Sequence, residues 1–227
     1  MSVRAVGWWC AGAVVVVAAT LSLRAEGASA DTSLSRLRSG NAKAAQGVAA
    51  RGETRVQPAA VVLSCADSLM PAEQIFGTAP GELFVVRTLG GVVDHAALAS
   101  IEYALERLHV PLVVVLGHEM CSAVRIPGDT LPGQSSGPHL DFLVKALRPA
   151  ASRAGGSPEA QRVRTAVLEN VEESINSVLQ QSAIVRHLAE SGRVKLVGAF
   201  HESASGRVFF SDMVDLPRVE GAVAARH

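Results

Sequence analysis

Short runs of consecutive apolar residues alternate along this chain with stretches in which apolar residues recur every three or four positions. That alternation predicts strands joined by helices. Ala59 to Ser64, Leu83 to Arg87 and Leu112 to Gly117 are the strand-like runs. Between them, Pro71 to Phe76 predicts a short helix and Asp94 to Leu108 a longer one. In the longer one Asp94 is the cap, Leu98, Ile101, Ala104, Leu105 and Leu108 keep helical spacing, and Pro111 lies beyond the end.

A short helix is expected after Cys121, then a Gly-, Pro- and Ser-rich surface loop from Asp129 to Pro138, then a helix from His139 to Leu147. Ser157 as cap and Pro158 at the first helical position open a long helix. It carries Val163, Val167, Val171, Ile175, Val178 and Leu179 on one face, a stripe suited to a core or an interface. Val194 to Phe200 and Arg207 to Phe210 are strand-like again, joined by Ser203 to Gly206 as a hairpin. The fold class expected from this order is α/β, with a mostly parallel central sheet of about five strands flanked by helices.

The first thirty residues differ from the rest. Arg4 precedes an apolar stretch from Ala5 to Leu23, and Ala28-Ser29-Ala30 offers a small-residue cleavage site before Asp31. The stretch is nearly long enough to span a bilayer, so an uncleaved anchor is the rival reading. Cys10 lies inside the apolar segment and not just after it, where a lipid-attachment cysteine would stand. The expectation is therefore a cleavable signal over 1–30, a domain over 31–215 and an unstructured tail over 216–227. The product would be periplasmic or secreted, with no stable membrane insertion. Within the domain, Asp31 to Gly52 is a polar, Ala-rich lead-in where Ser33 or Ser35 caps a helix through Arg38.

At 227 residues and 48% hydrophobic, the chain suffices for one ordinary core. Its formal net charge of +0 and lack of a basic block argue against a nucleic-acid partner, because phosphate binding needs clustered Lys and Arg.

Candidate chemistry sits at the strand ends. Cys65-Ala66-Asp67-Ser68 follows the first apolar run, and His118-x-x-Cys121 follows the third. In open α/β sheets ligands bind outside the carboxyl ends of the strands. Cys65, His118 and Cys121 are zinc-type ligands that would fill three places of a tetrahedral shell, leaving a fourth for water or substrate. The alternative is a disulfide, since removal of the signal leaves Cys65 and Cys121 as a pair in an oxidising compartment. His95, His109 and His139 lack comparable neighbours and are assigned no role. His201 and Glu202 are expected to serve the hairpin turn, and Tyr103 either lines the cleft or packs.

These motifs resemble the β class of carbonic anhydrases, whose signature is C-x-D-S-R after the first strand and H-x-x-C after the third. The resemblance runs from about Ser33 to Phe210. It includes Gly40-Asn41, Val86-Arg87, Ile101-Glu102-Tyr103-Ala104 and Gly117-His118-x-x-Cys121. It implies four parallel strands and one antiparallel, a homodimer or higher homo-oligomer with active sites at the subunit interface, and reversible hydration of carbon dioxide to bicarbonate. It further implies Zn2+ held by Cys65, His118 and Cys121. Asp67 is implied to be the catalytic carboxylate, either bonded to zinc-bound water or itself the fourth metal ligand. Zinc lowers the pKa of bound water from 15.7 toward about 7, and two thiolates blunt that effect, which moves the expected activity to the alkaline side.

Leu69 stands where the family motif has an arginine that pairs with the aspartate. A leucine offers neither of the two charge-assisted hydrogen bonds a guanidinium gives a carboxylate. The expectation is that Asp67 swings onto the metal and closes the shell, unless another cation replaces the arginine, Arg87 being the nearest by topology. Val56 with Gln57, Thr88-Leu89-Gly90-Gly91 and Ser122 are further departures from the family pattern. Three function classes follow: an active hydratase of reduced rate, a catalytically impaired zinc scaffold with Asp67 as fourth ligand, and a disulfide-bonded structural protein.

Overall fold

Val- and Leu-rich strands that are apolar on both faces demand cover on both sides, and the computed structural model supplies it. It describes residues 57–129, 137–155 and 158–211, with Leu34, Arg38 and Ser39, which are helical. The expected signal, the tail, nearly all of the lead-in, Val56, most of the 129–138 loop and Ser157 lie outside the described residues. The elements below all belong to the unit Arg55–His227.

Five strands form one sheet in the order β2-β1-β3-β4-β5: β1 (Ala60–Cys65), β2 (Leu83–Thr88), β3 (Leu112–His118), β4 (Lys195–Glu202) and β5 (Arg207–Ser211). The first four run parallel and β5 pairs antiparallel with β4. The α/β class and mostly parallel sheet expected from the alternation are what the structure has. Each early strand ends one residue later than the apolar run suggests, so Cys65 and His118 are the last residues of β1 and β3.

The helices are α1 (Ala72–Phe76), α2 (His95–Arg107), α3 (Ile126–Asp129), α4 (Pro138–Arg153), α5 (Glu159–Gln181) and α6 (Ala183–Glu190). Asp94 caps α2 by accepting from the Ala97 amide at 2.7 Å. On one sheet face Val61, Leu63, Val113 and Val115 pack with Leu98 and Ile101 of α2, Val171, Ile175 and Val178 of α5 and Val185 of α6. On the other, Ala60, Val62, Val114 and Leu116 pack with Ala72 of α1. The α5 stripe is core: Val163, Val167, Val171, Ile175 and Val178 are buried, and Leu179 is partly so.

Three expectations needed correction. Pro158 is the N-cap of α5, one place before the first helical position. The fourth helix runs beyond Leu147 to Arg153 and through Pro149, because Ala150 is buried and Arg153 pairs with Glu169 and Glu173 of α5. Helix α6 was not anticipated. It is started by Ser182, whose hydroxyl accepts from the Val185 amide at 3.0 Å, and held by buried Val185 and Leu188.

Helix α5 crosses β3 so closely that Gly117 has no room for a side chain. A Cβ there would lie 2.6 Å from Val167 Cγ1 and 2.9 Å from Val171 Cγ2. Because both neighbours are stiff β-branched residues, Gly117→Ala should destabilise the protein by about 1–3 kcal/mol, the usual cost of overpacking. Urea unfolding checks it, and an unchanged midpoint would show that the helix can retreat freely.

Candidate metal centre

The parallel pairing of β1 with β3 sets the site. Ser64 stands opposite Leu116, so the two strands deliver Cys65 and His118 to the same edge of the sheet. After β1 a tight turn, with the Ser68 amide on the Cys65 carbonyl at 3.3 Å, turns Asp67 back over the strand end. After β3 the chain keeps pairing for one residue, the Glu119 amide donating to the His201 carbonyl at 3.0 Å. It then reverses at Met120 in the left-handed region (φ 60°) and returns Cys121 to the strand end.

The ligand atoms of Cys65, Asp67, His118 and Cys121 all lie within 4.8 Å of one another. Asp67 Oδ1 is the hub, 2.6 Å from Cys65 Sγ, 2.8 Å from His118 Nε2 and 3.7 Å from Cys121 Sγ. The two sulfurs are 3.7 Å apart and both cysteines are free thiols, so the disulfide alternative fails in this structure. A disulfide needs about 2.0 Å between sulfurs. Two thiolates about 2.3 Å from a tetrahedral zinc stand about 3.8 Å apart, so the observed spacing fits the metal. The donor set of two sulfurs, one imidazole nitrogen and one carboxylate oxygen suits zinc chemically as well.

Neighbouring groups fix these atoms. The Glu119 carbonyl lies 3.0 Å from His118 Nδ1, where it takes that N–H and leaves Nε2 facing the cluster. The Gly90 amide donates to Cys65 Sγ at 3.0 Å. Gly90 can reach it because it adopts φ 73° and sits where a Cβ would meet Leu147 at 2.9 Å, while Asn170 Nδ2 donates to its carbonyl at 2.6 Å. Asp67 Oδ2 accepts from the Ser122 amide at 2.9 Å and from the Ser122 hydroxyl.

The charges follow from these bonds. A hydrogen bond from Cys121 lowers the Cys65 thiol from its ordinary value to about 5 against the opposing effect of burial, and hydrogen bonding to the Cys65 sulfur together with burial pushes Cys121 up. Burial would raise the Asp67 carboxyl, but hydrogen bonds from Cys65 and Ser122 outweigh it and hold the group well below the usual carboxylate range. Burial likewise opposes protonation of His118, yet the Cys65 and Asp67 partners raise it.

Arg87 does not replace the missing arginine on the carboxylate. Its guanidinium donates to the carbonyls of Cys65 at 3.2 Å, Ala66 at 3.1 Å and Ser68 at 2.7 Å, so it shapes the turn that carries Asp67. Leu69 is 98% exposed. His201 is buried, not a turn residue: β4 extends past Phe200 and pairs His201 with His118. Glu202 does serve the turn, accepting from Ser205 Oγ at 2.7 Å. Tyr103 is half-exposed and packs on Phe84, the rings tilted by 38° with centroids 6.3 Å apart. Gln57 donates to the Leu108 carbonyl, away from the cluster. The Ser122 hydroxyl, the Gly90 amide and the Glu119 carbonyl escaped the sequence reading, since only the Gly90-Gly91 pair hinted at a close backbone approach.

The sequence model of the carbonic anhydrase family matches residues 60–208. Over 163 residues the chain is 36% identical to carbonic anhydrase 2 of Mycobacterium tuberculosis, covering 70% of this chain and 76% of that one. The fold superposes with TM-score 0.66 on one of the tetrameric β-carbonic anhydrases of Sordaria macrospora, at 26% identity over 80% of this chain and 98% of the other. The chain belongs to the β-carbonic anhydrase family. The carbonic anhydrase of Mycolicibacterium smegmatis is also 36% identical, over 72% of this chain and 80% of its own. The β-carbonic anhydrase of Coccomyxa, solved with acetazolamide, gives TM-score 0.64 at 27% identity over 77% and 84% of the two chains.

In the metal-free protein the Cys121 thiol, pushed up by burial and by the Cys65 sulfur, keeps a proton at neutral pH that a bound metal must displace. Zinc titrated into it should therefore release protons, and its affinity should rise with pH. Calorimetry in two buffers of different ionisation enthalpy reads the release, and a proton count near zero would contradict the assignment.

Proposed function

We propose that this β-carbonic anhydrase catalyses the reversible hydration of carbon dioxide to bicarbonate and a proton, at a zinc held by Cys65, His118 and Cys121 with Asp67 beside it. The observation that carries the reading is the convergence of those four side chains within 4.8 Å, at the carboxyl ends of two adjacent parallel strands, in a chain of this family. Zinc bound there supplies the Lewis acidity that makes water nucleophilic near neutral pH.

The chain's own residues divide the remaining work. Cys65 brings a thiolate stabilised by the Gly90 amide, and Cys121 a second sulfur from the opposite turn. Glu119 keeps the His118 ring oriented through Nδ1. Asp67 is the carboxylate at the reacting position, an acceptor able to orient a water hydrogen. Two thiolate charges oppose the charge of the metal, so hydration strengthens toward alkaline pH.

A second reading has one observation in its favour: Asp67 Oδ1 already sits among the other three ligand atoms. As a fourth ligand it would close the shell and impair hydration, leaving a zinc-binding scaffold. The two readings part on kinetics. Zinc-full protein should hydrate carbon dioxide in stopped flow with a rate that climbs from neutral to alkaline pH, whereas no rate across that range would favour the closed scaffold.

The same reading places the enzyme outside the cytoplasm as a homodimer or higher oligomer. Export is supported by Arg4, the apolar stretch Ala5 to Leu23 and Ala28-Ser29-Ala30 before Asp31. Assembly is supported by the tetrameric relative and by the exposed apolar residues Leu69, Tyr103, Met120, Leu140 and Phe142. Amino-terminal sequencing of the native protein should begin at or near Asp31, and an intact Met1 or Ser2 would count against cleavage.

A further inference from the structure

We propose that Ser122 is the residue that orients Asp67 in this chain, standing in for the arginine that position 69 lacks; the proposal rests on the metal site described under the proposed function. Three observations converge on it. Leu69 is almost fully exposed and offers the carboxylate nothing. Arg87, the cation nearest by topology, spends its donors on the carbonyls of Cys65, Ala66 and Ser68. Among the described residues, Ser122 brings two donors to one carboxylate oxygen of Asp67, its amide at 2.9 Å and its hydroxyl, both on Oδ2.

That double contact divides the carboxylate's two oxygens between two tasks. Oδ2 is tethered to the residue after Cys121, and Oδ1 is thereby turned to Cys65, His118 and Cys121. The tether is short. It needs no long side chain to be ordered, since a serine has one χ angle to fix and an arginine four. It also rides on the ligand turn, so whatever places Cys121 places the restraint on Asp67. The amide would remain with any residue at 122, and the side chain's own contribution is the hydroxyl. Ser122 is thus a positioning residue that acts through Asp67, and its donors are neutral, so the carboxylate keeps its full charge for the metal.

The test uses the full mature chain loaded with zinc, or with cobalt as a spectroscopic probe, as wild type, Ser122→Ala, Ser122→Thr, Leu69→Arg and the double variant Ser122→Ala with Leu69→Arg. Each is confirmed folded by its thermal melt. Zinc affinity is read by chelator competition, and ligand geometry by the cobalt absorption bands. Losing the hydroxyl should shift the cobalt bands, because Asp67 Oδ1 sits among the other candidate ligand atoms, and should weaken zinc binding roughly ten-fold where that oxygen is itself a ligand, the low end for partners that orient ligands. Ser122→Thr, which keeps a hydroxyl, should stay within about two-fold of wild type.

Leu69→Arg should recover most of the loss in the Ser122→Ala background while changing little alone. In an Asp67→Ala background, Ser122→Ala should have no further effect. The proposal is overturned if Ser122→Ala leaves affinity and cobalt bands unchanged, if Leu69→Arg acts equally in both backgrounds, or if Ser122→Ala costs as much without Asp67. Failure of the hydratase reading looks different: zinc-full wild type would show no hydration rate, while the cobalt-band comparison still decides the role of Ser122.

Discussion

The register between β1 and β3 is the constraint from which the site follows. Parallel strands paired with Ser64 opposite Leu116 end together, and only then do a cysteine from one turn and a histidine with a cysteine from the next meet. A slip of one residue would turn every side chain of a strand to the other sheet face. Burial forbids that slip, because Val61 and Leu63 are committed to the α2, α5 and α6 side and Ala60 and Val62 to the other. The hydrophobic core thus fixes the candidate ligands, and Cys65 and Cys121 are themselves packed into it.

The same economy appears in the turns. Backbone groups carry much of the site: the Gly90 amide on Cys65, the Glu119 carbonyl on His118, the Ser122 amide on Asp67. Backbone groups have no side-chain freedom to lose, so their hydrogen bonds come at lower entropic cost than those of long side chains. Arg87 belongs to this scheme, since it holds three carbonyls of the Asp67 turn and leaves the carboxylate alone. The loss of the motif arginine at Leu69 then removes one restraint among several, and the Asp67 turn keeps its shape.

What was legible in the sequence was what is locally encoded. Strand cores, the Asp94 cap and the four residues of the candidate site stand in continuous motifs, and the parallel sheet follows from their order. What the sequence concealed was tertiary. The length of α4 depends on Arg153 meeting Glu169 and Glu173, and α6 depends on the burial of Val185 and Leu188. His201 looked like turn chemistry until β4 was seen to pair with β3 as far as His118. The partner of Asp67 lay 55 residues away at Ser122, next to a ligand already noticed, and no spacing rule points to a hydroxyl there.

The central claim is that Cys65, His118 and Cys121 hold a zinc with Asp67 beside it, and X-ray absorption at the zinc edge of the purified, zinc-loaded protein tests it most directly. The account predicts two sulfur scatterers at about 2.3 Å and two nitrogen or oxygen scatterers at about 2.0–2.1 Å. A shell without sulfur, or zinc absent from a protein whose Cys65 and Cys121 are joined in a disulfide, would contradict it.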